Sequence, residues 1–225
     1  MRGLPAAVLC LTFGAALADE GAVVTYGRMS DSDFYKAVSC GAVPGWGCRS
    51  TPVRWPHDRA RRLSVSVAMK DEGYPAATAA RISAAIDHAI RQINGAGADV
   101  RLRRHGDEKP ADIAVRLFGV PEGRTARGSG IADLEGRSMT AGYVSVDYDA
   151  GHTIRRGRIL LAADIGERNV ESIVLEELTQ SLGLLFDIDD TAYRSTSVFA
   201  ERGDDVTDLS GQDADALRRH YPPSY

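Results

Sequence analysis

The stretch VLEELTQSLGL, residues 174–184, decides how the chain is read. Val174, Leu178 and Leu182 recur every four residues and form one apolar stripe, as a helix packed on a core requires. Glu176 and Gln180 form a second i, i+4 row on another side, with Glu177 beside it. The spacing predicts a helix that begins near Glu167 to Asn169 and closes at Gly183, since glycine takes the left-handed geometry of a helix end without a Cβ penalty. Two adjacent carboxylates followed by an amide one turn on make either a solvated face or a site.

Working outward, YVSVDYD (143–149) and GRILLAA (157–163) predict two strands joined by AGHTIRR. LSVSVAM (63–69) alternates, with Leu63, Val65, Val67 and Met69 on one face, and DVRLRR (99–104) and DIAVRLF (112–118) add two further strands. AATAARISAAIDHAIRQIN (76–94) carries Ile82, Ile86, Ile90 and Ile93 at helical spacing and stops at Asn94-Gly95. His88 points away from that stripe, toward the surface. The stretch 119–142, rich in Gly and polar residues, predicts a long mobile loop. SDSDFYKAVSC (30–40) predicts a short helix with Asp in its first turn, and Ser210 with Asp213 three positions later predicts a capping box ahead of ADALRRHY. The order predicts an α+β fold: a mixed sheet packed with two long helices, plus a C-terminal helix.

The first residues have the form of an export leader: Arg2, the apolar run LPAAVLCLTFG, and the small-x-small pattern ALA at 16–18. Cleavage after Ala18 would leave 207 of the 225 residues, and losing Arg2 takes the formal charge from −4 to −5. The apolar run is shorter than the roughly 20 residues that span a bilayer, so no transmembrane segment is expected after cleavage. The mildly acidic balance gives no footprint for nucleic acid. Cys10 leaves with the leader, and Cys40 and Cys48 remain as an even pair around GAVPGWG, which predicts a disulfide in a periplasmic or secreted protein. The expected division is 1–18 leader, 19–62 N-terminal segment with the disulfide, and 63–225 main domain.

RILLAA, a helix with E-E-x-x-Q-x-x-G, then STSVF and LSGQDADALRRHYPP follow the order of the metzincin metalloproteases, whose helix carries His-Glu-x-x-His-x-x-Gly. This resemblance, over 157–225, implies a zincin-like fold. It puts Glu176 and Gln180 at the first two ligand positions, Glu177 at the general base, Gly183 at the turn, Phe186 at the third ligand and Phe199 at the methionine of the Met-turn. A second resemblance covers most of the mature chain. FYKAVSCGAVPGWGC, VRW, LEELTQSLGL followed by Asp187, SVF and LSGQDADALRRHYPP are similar to a family of secreted proteobacterial proteins known as domain of unknown function 2927. It implies that Glu-Glu-x-x-Gln is the family's own form, and it supplies no reaction.

Catalytic zinc takes three strong ligands, mostly imidazoles, and one open position; Gln180 is a weak donor and Phe186 none. An oxygen-only set of Glu176, Gln180 and Asp187 would favour a harder divalent cation. Without metal, Gln180 can hydrogen-bond to Glu176 or to a peptide backbone, and one of the adjacent carboxylates can have a raised pKa. Asp187, Asp189 and Asp190 in FDIDD form either a small cation site or ordinary turn carboxylates. His57, His105, His152 and His220 show no ligand spacing and are expected at the surface, with His152 the one to test. No Ser-His-Asp or phosphate-loop pattern is present. The sequence therefore predicts an exported, non-catalytic module with no cofactor. Its degenerate metalloprotease-like cleft, formed by Glu176, Glu177, Gln180, Gly183 and Asp187, would bind a peptide or an envelope protein. The alternative is a metal-dependent peptidase or hydrolase with Glu177 as general base and a divalent ion on Glu176, Gln180 and Asp187.

Overall fold

The computed structural model describes residues 14–17, 21–203 and 205–223. Along the chain run β1 (Gly14–Leu17), β2 (Val23–Val24), α1 (Asp31–Cys40), α2 (His57–Ala60), β3 (Leu63–Lys70) and α3 (Ala76–Gly95). Then follow β4 (Leu102–Arg104), β5 (Ile113–Leu117), β6 (Gly142–Tyr148), β7 (Ile154–Leu161), α4 (Val170–Gln180), β8 (Ile188–Asp189) and α5 (Gly211–His220). The fold is α+β with a mixed sheet in the order β1-β6-β7-β5-β3-β4. β3, β4, β5 and β7 are parallel, β6 runs antiparallel to β7, and β1 runs antiparallel to β6. β2 and β8 form a separate parallel pair.

The two faces of the sheet follow from the two-residue period of its strands. In β5, Ile113, Val115 and Leu117 are buried, whereas Ala114 and Arg116 are half-buried on the opposite face. One core cluster joins these apolar residues to the isoleucines of α3, to Val174 and Leu178 of α4, and to α1 and α5. On the opposite face Arg116 makes a two-pronged ion pair with Asp71 (2.8 and 2.9 Å), and Arg158 pairs with Asp147 at 2.6 Å.

That second face is covered by the segment expected to be a mobile loop, and here the structure differs. Residues 119–141 form a folded turn-rich layer with Ala126, Ile131, Leu134 and Met139 buried. The layer is closed by Thr125 opposite Ser138 and by Ala126 N–H donating to Arg137 O (2.8 Å). Arg116 Nη1 donates to Gly128 O and Arg158 Nη1 to Gly130 O, so the sheet's own arginines hold it down. Four scattered apolar residues without period 2 or 3.6 are enough for a satellite core, which periodicity does not register.

Two smaller expectations also give way. His88 is half-buried and bonds Thr207 O at 2.8 Å, fastening α3 to the segment before α5. Ser210 stands at the N-terminus of α5 but makes no side-chain capping bond. The reciprocal pair forms at α1 instead, where Ser30 Oγ accepts from Asp33 N–H and donates to the Asp33 carboxylate. Cys40 and Cys48 are joined, with Cα atoms 5.1 Å apart, which fits an oxidising compartment. Residues 1–13 of the expected leader and the bond after Ala18 lie outside the described residues; Gly14–Leu17 appear as β1. Among the described residues no helix is long and apolar enough to cross a membrane.

Candidate functional site

α4 has no solvated polar face. Glu177 is 7 % exposed and Gln180 2 %, while Glu176 is half-buried. The helix packs against α3 on one side and β6 on another, so its polar row is pressed onto the sheet. Contact with β6 is closest at Gly142, where an added Cβ would overlap Glu177 Oε1 and lie 2.7 Å from its Cδ. Glycine is required there because the carboxylate occupies the space a side chain would take.

Side chains from distant segments fix both ends of this arrangement. Helices end with carbonyls that lack intrahelical partners. Beyond the C-terminus of α4, Ser181 O accepts from the Trp55 indole (3.0 Å) and Leu182 O from the Tyr221 hydroxyl (2.6 Å). Trp55 N–H in turn donates to Tyr221 Oη at 3.1 Å. Gly183, at φ +104°, lets the chain turn against Val53 and His220: a Cβ there would overlap Val53 O and lie 2.8 Å from His220 Nε2. His220 is 1 % exposed, not at the surface as expected; its Nε2–H donates to Val53 O at 3.0 Å. Burial, helped by the nearby Arg54 charge, lowers its pKa to about 3, so the ring is neutral.

The pocket beside α4 has a volume of about 290 Å³. Thr140, Ala141, Gly142, Tyr143 and Val144 form its sheet-edge wall, and Glu176, Glu177 and Gln180 its helix wall. Asp187, Glu122, Ala200 and Glu201 complete it. Gln180 Nε2 donates to Asp187 Oδ1 at 2.6 Å. Glu177 Oε2 is buried and, among the described residues, has no hydrogen-bond partner. Burial, reinforced by the neighbouring Asp187 charge, pushes the Glu177 carboxyl well above the usual range, which favours its protonated form.

Of the residues singled out in the sequence, Glu176, Glu177, Gln180 and Asp187 come together in this pocket, and Gly183 sits apart beneath Val53 and His220. The sequence does not mark Glu122, Tyr143 or Glu201 by any local spacing; the loop before β6, β6 itself and the turn after β8 bring them in. Asp190 is a turn carboxylate, accepting from Thr25 Oγ1 (3.0 Å), Gly27 N–H and Ala192 N–H (2.8 Å). Phe186 packs over Gly41, and Phe199 is fully buried with its ring edge toward Phe34. His152 is exposed and stacks on Tyr148.

The donor set does not fit zinc. Phe186 offers no lone pair, Gln180 directs its amide N–H at Asp187, and among the described residues no three His, Cys, Asp or Glu side chains converge as a metal site. The SVF turn behind the pocket is held by Asp213, whose carboxylate accepts from Ser197 Oγ (2.7 Å) and Val198 N–H (2.8 Å). Through this turn Phe199 O accepts from Ile188 N–H (2.7 Å), which fixes β8 directly after Asp187.

A family model described as "Protein of unknown function (DUF2927)" matches residues 50–224. No curated protein matches the chain. The matched span contains every pocket residue and the Trp55, His220 and Tyr221 supports, but not α1 or the disulfide.

Proposed function

We propose, for a chain that belongs to the DUF2927 family of proteins of unknown function, that it is an exported module binding an extended peptide as an added strand on β6. The peptide would cross the Glu176, Glu177, Gln180 and Asp187 pocket. The observation that carries this reading is the pairing of β1 with β6, in which Leu17 lies opposite Ser145 and Gly14 opposite Tyr148. The outer edge of β6 thus accepts an extended segment. A strand continuing in that register would run past Val144, Tyr143 and Gly142, the sheet wall of the pocket. Cleavage after Ala18 would free the edge, and a free edge is a template for strand addition. In the metalloproteases that the α4 motif resembles, an extended substrate lies along a sheet edge, and this mode does not depend on the metal. A zincin-like ancestry without catalysis is the scaffold we propose, supported by the Glu-Glu-x-x-Gln helix packed against β6, the antiparallel strand next to the sheet edge. The disulfide supports export.

Selection of a displayed heptapeptide library on the purified protein tests this. Enriched peptides should bind the wild type and lose at least tenfold in affinity for Gln180→Ala. Enrichment no better than on an unrelated exported protein would overturn the reading. Stoichiometric metal in chelator-free protein, with peptide turnover lost in Glu177→Gln, would replace it with the hydrolase alternative.

A further inference from the structure

Resting on the strand-addition reading, we infer that the pocket recognises a cationic side chain, arginine or lysine, of the docked peptide. Five carboxylates line it (Glu122, Glu176, Glu177, Asp187 and Glu201), and among the described residues no Lys, Arg or His does. A row of acidic groups alone is only a charged surface, but one of these is set apart by its burial. Glu177 is 7 % exposed, and among the described residues its Oε2 has no hydrogen-bond donor. A buried carboxylate oxygen that lacks a donor is destabilising until one is brought to it. Gly142 leaves the room this carboxylate occupies, since a Cβ there would overlap it.

Size and position narrow the occupant. About 290 Å³ falls at the lower end of ligand pockets, which run from roughly 300 to 1,000 Å³, and suits a side chain better than a whole ligand. Successive side chains of an added strand point to opposite faces, so one residue opposite the Gly142–Val144 edge is directed toward α4. A guanidinium or ammonium there would supply N–H donors to an acceptor that lacks one, and charge-assisted bonds of this kind are the stronger class. The charged groups that line the pocket with Glu177 are Asp187, whose charge acts on it directly, Glu176 on its own helix, Glu122 on the loop before β6 and Glu201 beyond β8, with Gly142 of β6 against its carboxylate. Burial and the Asp187 charge favour the protonated form of the free Glu177, and an arriving cation favours the ionised form, so binding is expected to release a proton to the buffer.

Calorimetry with matched probes on the chain cleaved after Ala18, whose β6 edge is free of β1, tests this. The probes are an acetylated, amidated heptapeptide Ala-Thr-Val-X-Val-Thr-Ala with X either arginine or its neutral isostere citrulline, and N-acetylarginine amide alone. The arginine peptide should bind at least tenfold tighter than the citrulline peptide, with proton release seen as a buffer-dependent heat. In Glu177→Gln the ratio should fall to near one, and in Glu176→Gln, at the half-exposed rim, it should fall severalfold with the fold intact. Equal binding of both peptides would overturn the cation pocket and leave strand addition standing. Binding of N-acetylarginine amide without either peptide would support the pocket and overturn strand addition. No binding of any probe would overturn both. A stoichiometric divalent ion that the arginine peptide does not displace would also overturn the cation pocket.

Discussion

Replacing Asp213 by Asn is expected to flatten the dependence of stability on pH. Asp213 is 1 % exposed, and burial outweighs its bonds from Val198 N–H and Ser197 Oγ, pushing its pKa from 3.8 up to about 7. The folded protein therefore binds this proton more tightly than the unfolded chain does. The contribution is complete below the unfolded pKa and is lost as pH rises through about 7. At about 1.4 kcal/mol per pKa unit, the whole window amounts to about 4 kcal/mol, of which about 2–3 kcal/mol falls between pH 5 and pH 8. Asparagine keeps the shape: its carbonyl accepts from Val198 N–H and its amide donates to Ser197 Oγ. Urea denaturation of both proteins at pH 5, 6.5 and 8 isolates the effect, since every other titrating group is common to them. Relative to wild type, Asp213→Asn should gain about 2–3 kcal/mol on going from pH 5 to pH 8. Parallel stability curves, or a relative gain by the wild type at pH 8, would refute the reasoning.

His220 acts with the opposite sign. Its folded pKa of about 3 lies below the unfolded 6.5, so its stabilisation is present above pH 6.5 and is lost as pH falls toward 3. Comparing His220→Gln with wild type at pH 7.5 and 4.5 by urea denaturation should show the variant losing about 3 kcal/mol less. Gly142→Ala sets a methyl group against the Glu177 carboxylate and should cost about 1–3 kcal/mol by the same assay, with weaker peptide binding in calorimetry. Trp55→Phe leaves Ser181 O without its indole donor and should lower the unfolding free energy by about 1–2 kcal/mol. The Cys40→Ala, Cys48→Ala double variant should lose about 2 kcal/mol, since the bridge closes only a short loop.

The strands and long helices were legible because their apolar residues keep period 2 or 3.6, and β3, α3, β5, β6, β7 and α4 fall where that spacing places them. The carboxylate row of α4 was legible for the same reason. Its burial was not, because that depends on Gly142, 35 positions earlier, and a lone glycine before a strand carries no sign of what packs on it. His220 looked exposed amid RRHY, yet it faces Val53 across the fold, a contact 167 residues apart. Asp213 fitted a capping box by spacing, but the Ser197 hydroxyl and Val198 N–H compete for the same carboxylate and win through tertiary contact. Trp55 and Tyr221 stood out only as motif residues; their shared role at the end of α4 joins two segments 166 positions apart.

The most direct test of peptide binding at the β6 edge is amide hydrogen exchange across β6, followed residue by residue by NMR at saturating arginine heptapeptide. The β6 amides that are not bonded to β7, Gly142 at the pocket among them, should exchange at least tenfold more slowly with the peptide bound. Unchanged β6 exchange while calorimetry reports a bound peptide would place the ligand elsewhere and contradict the account.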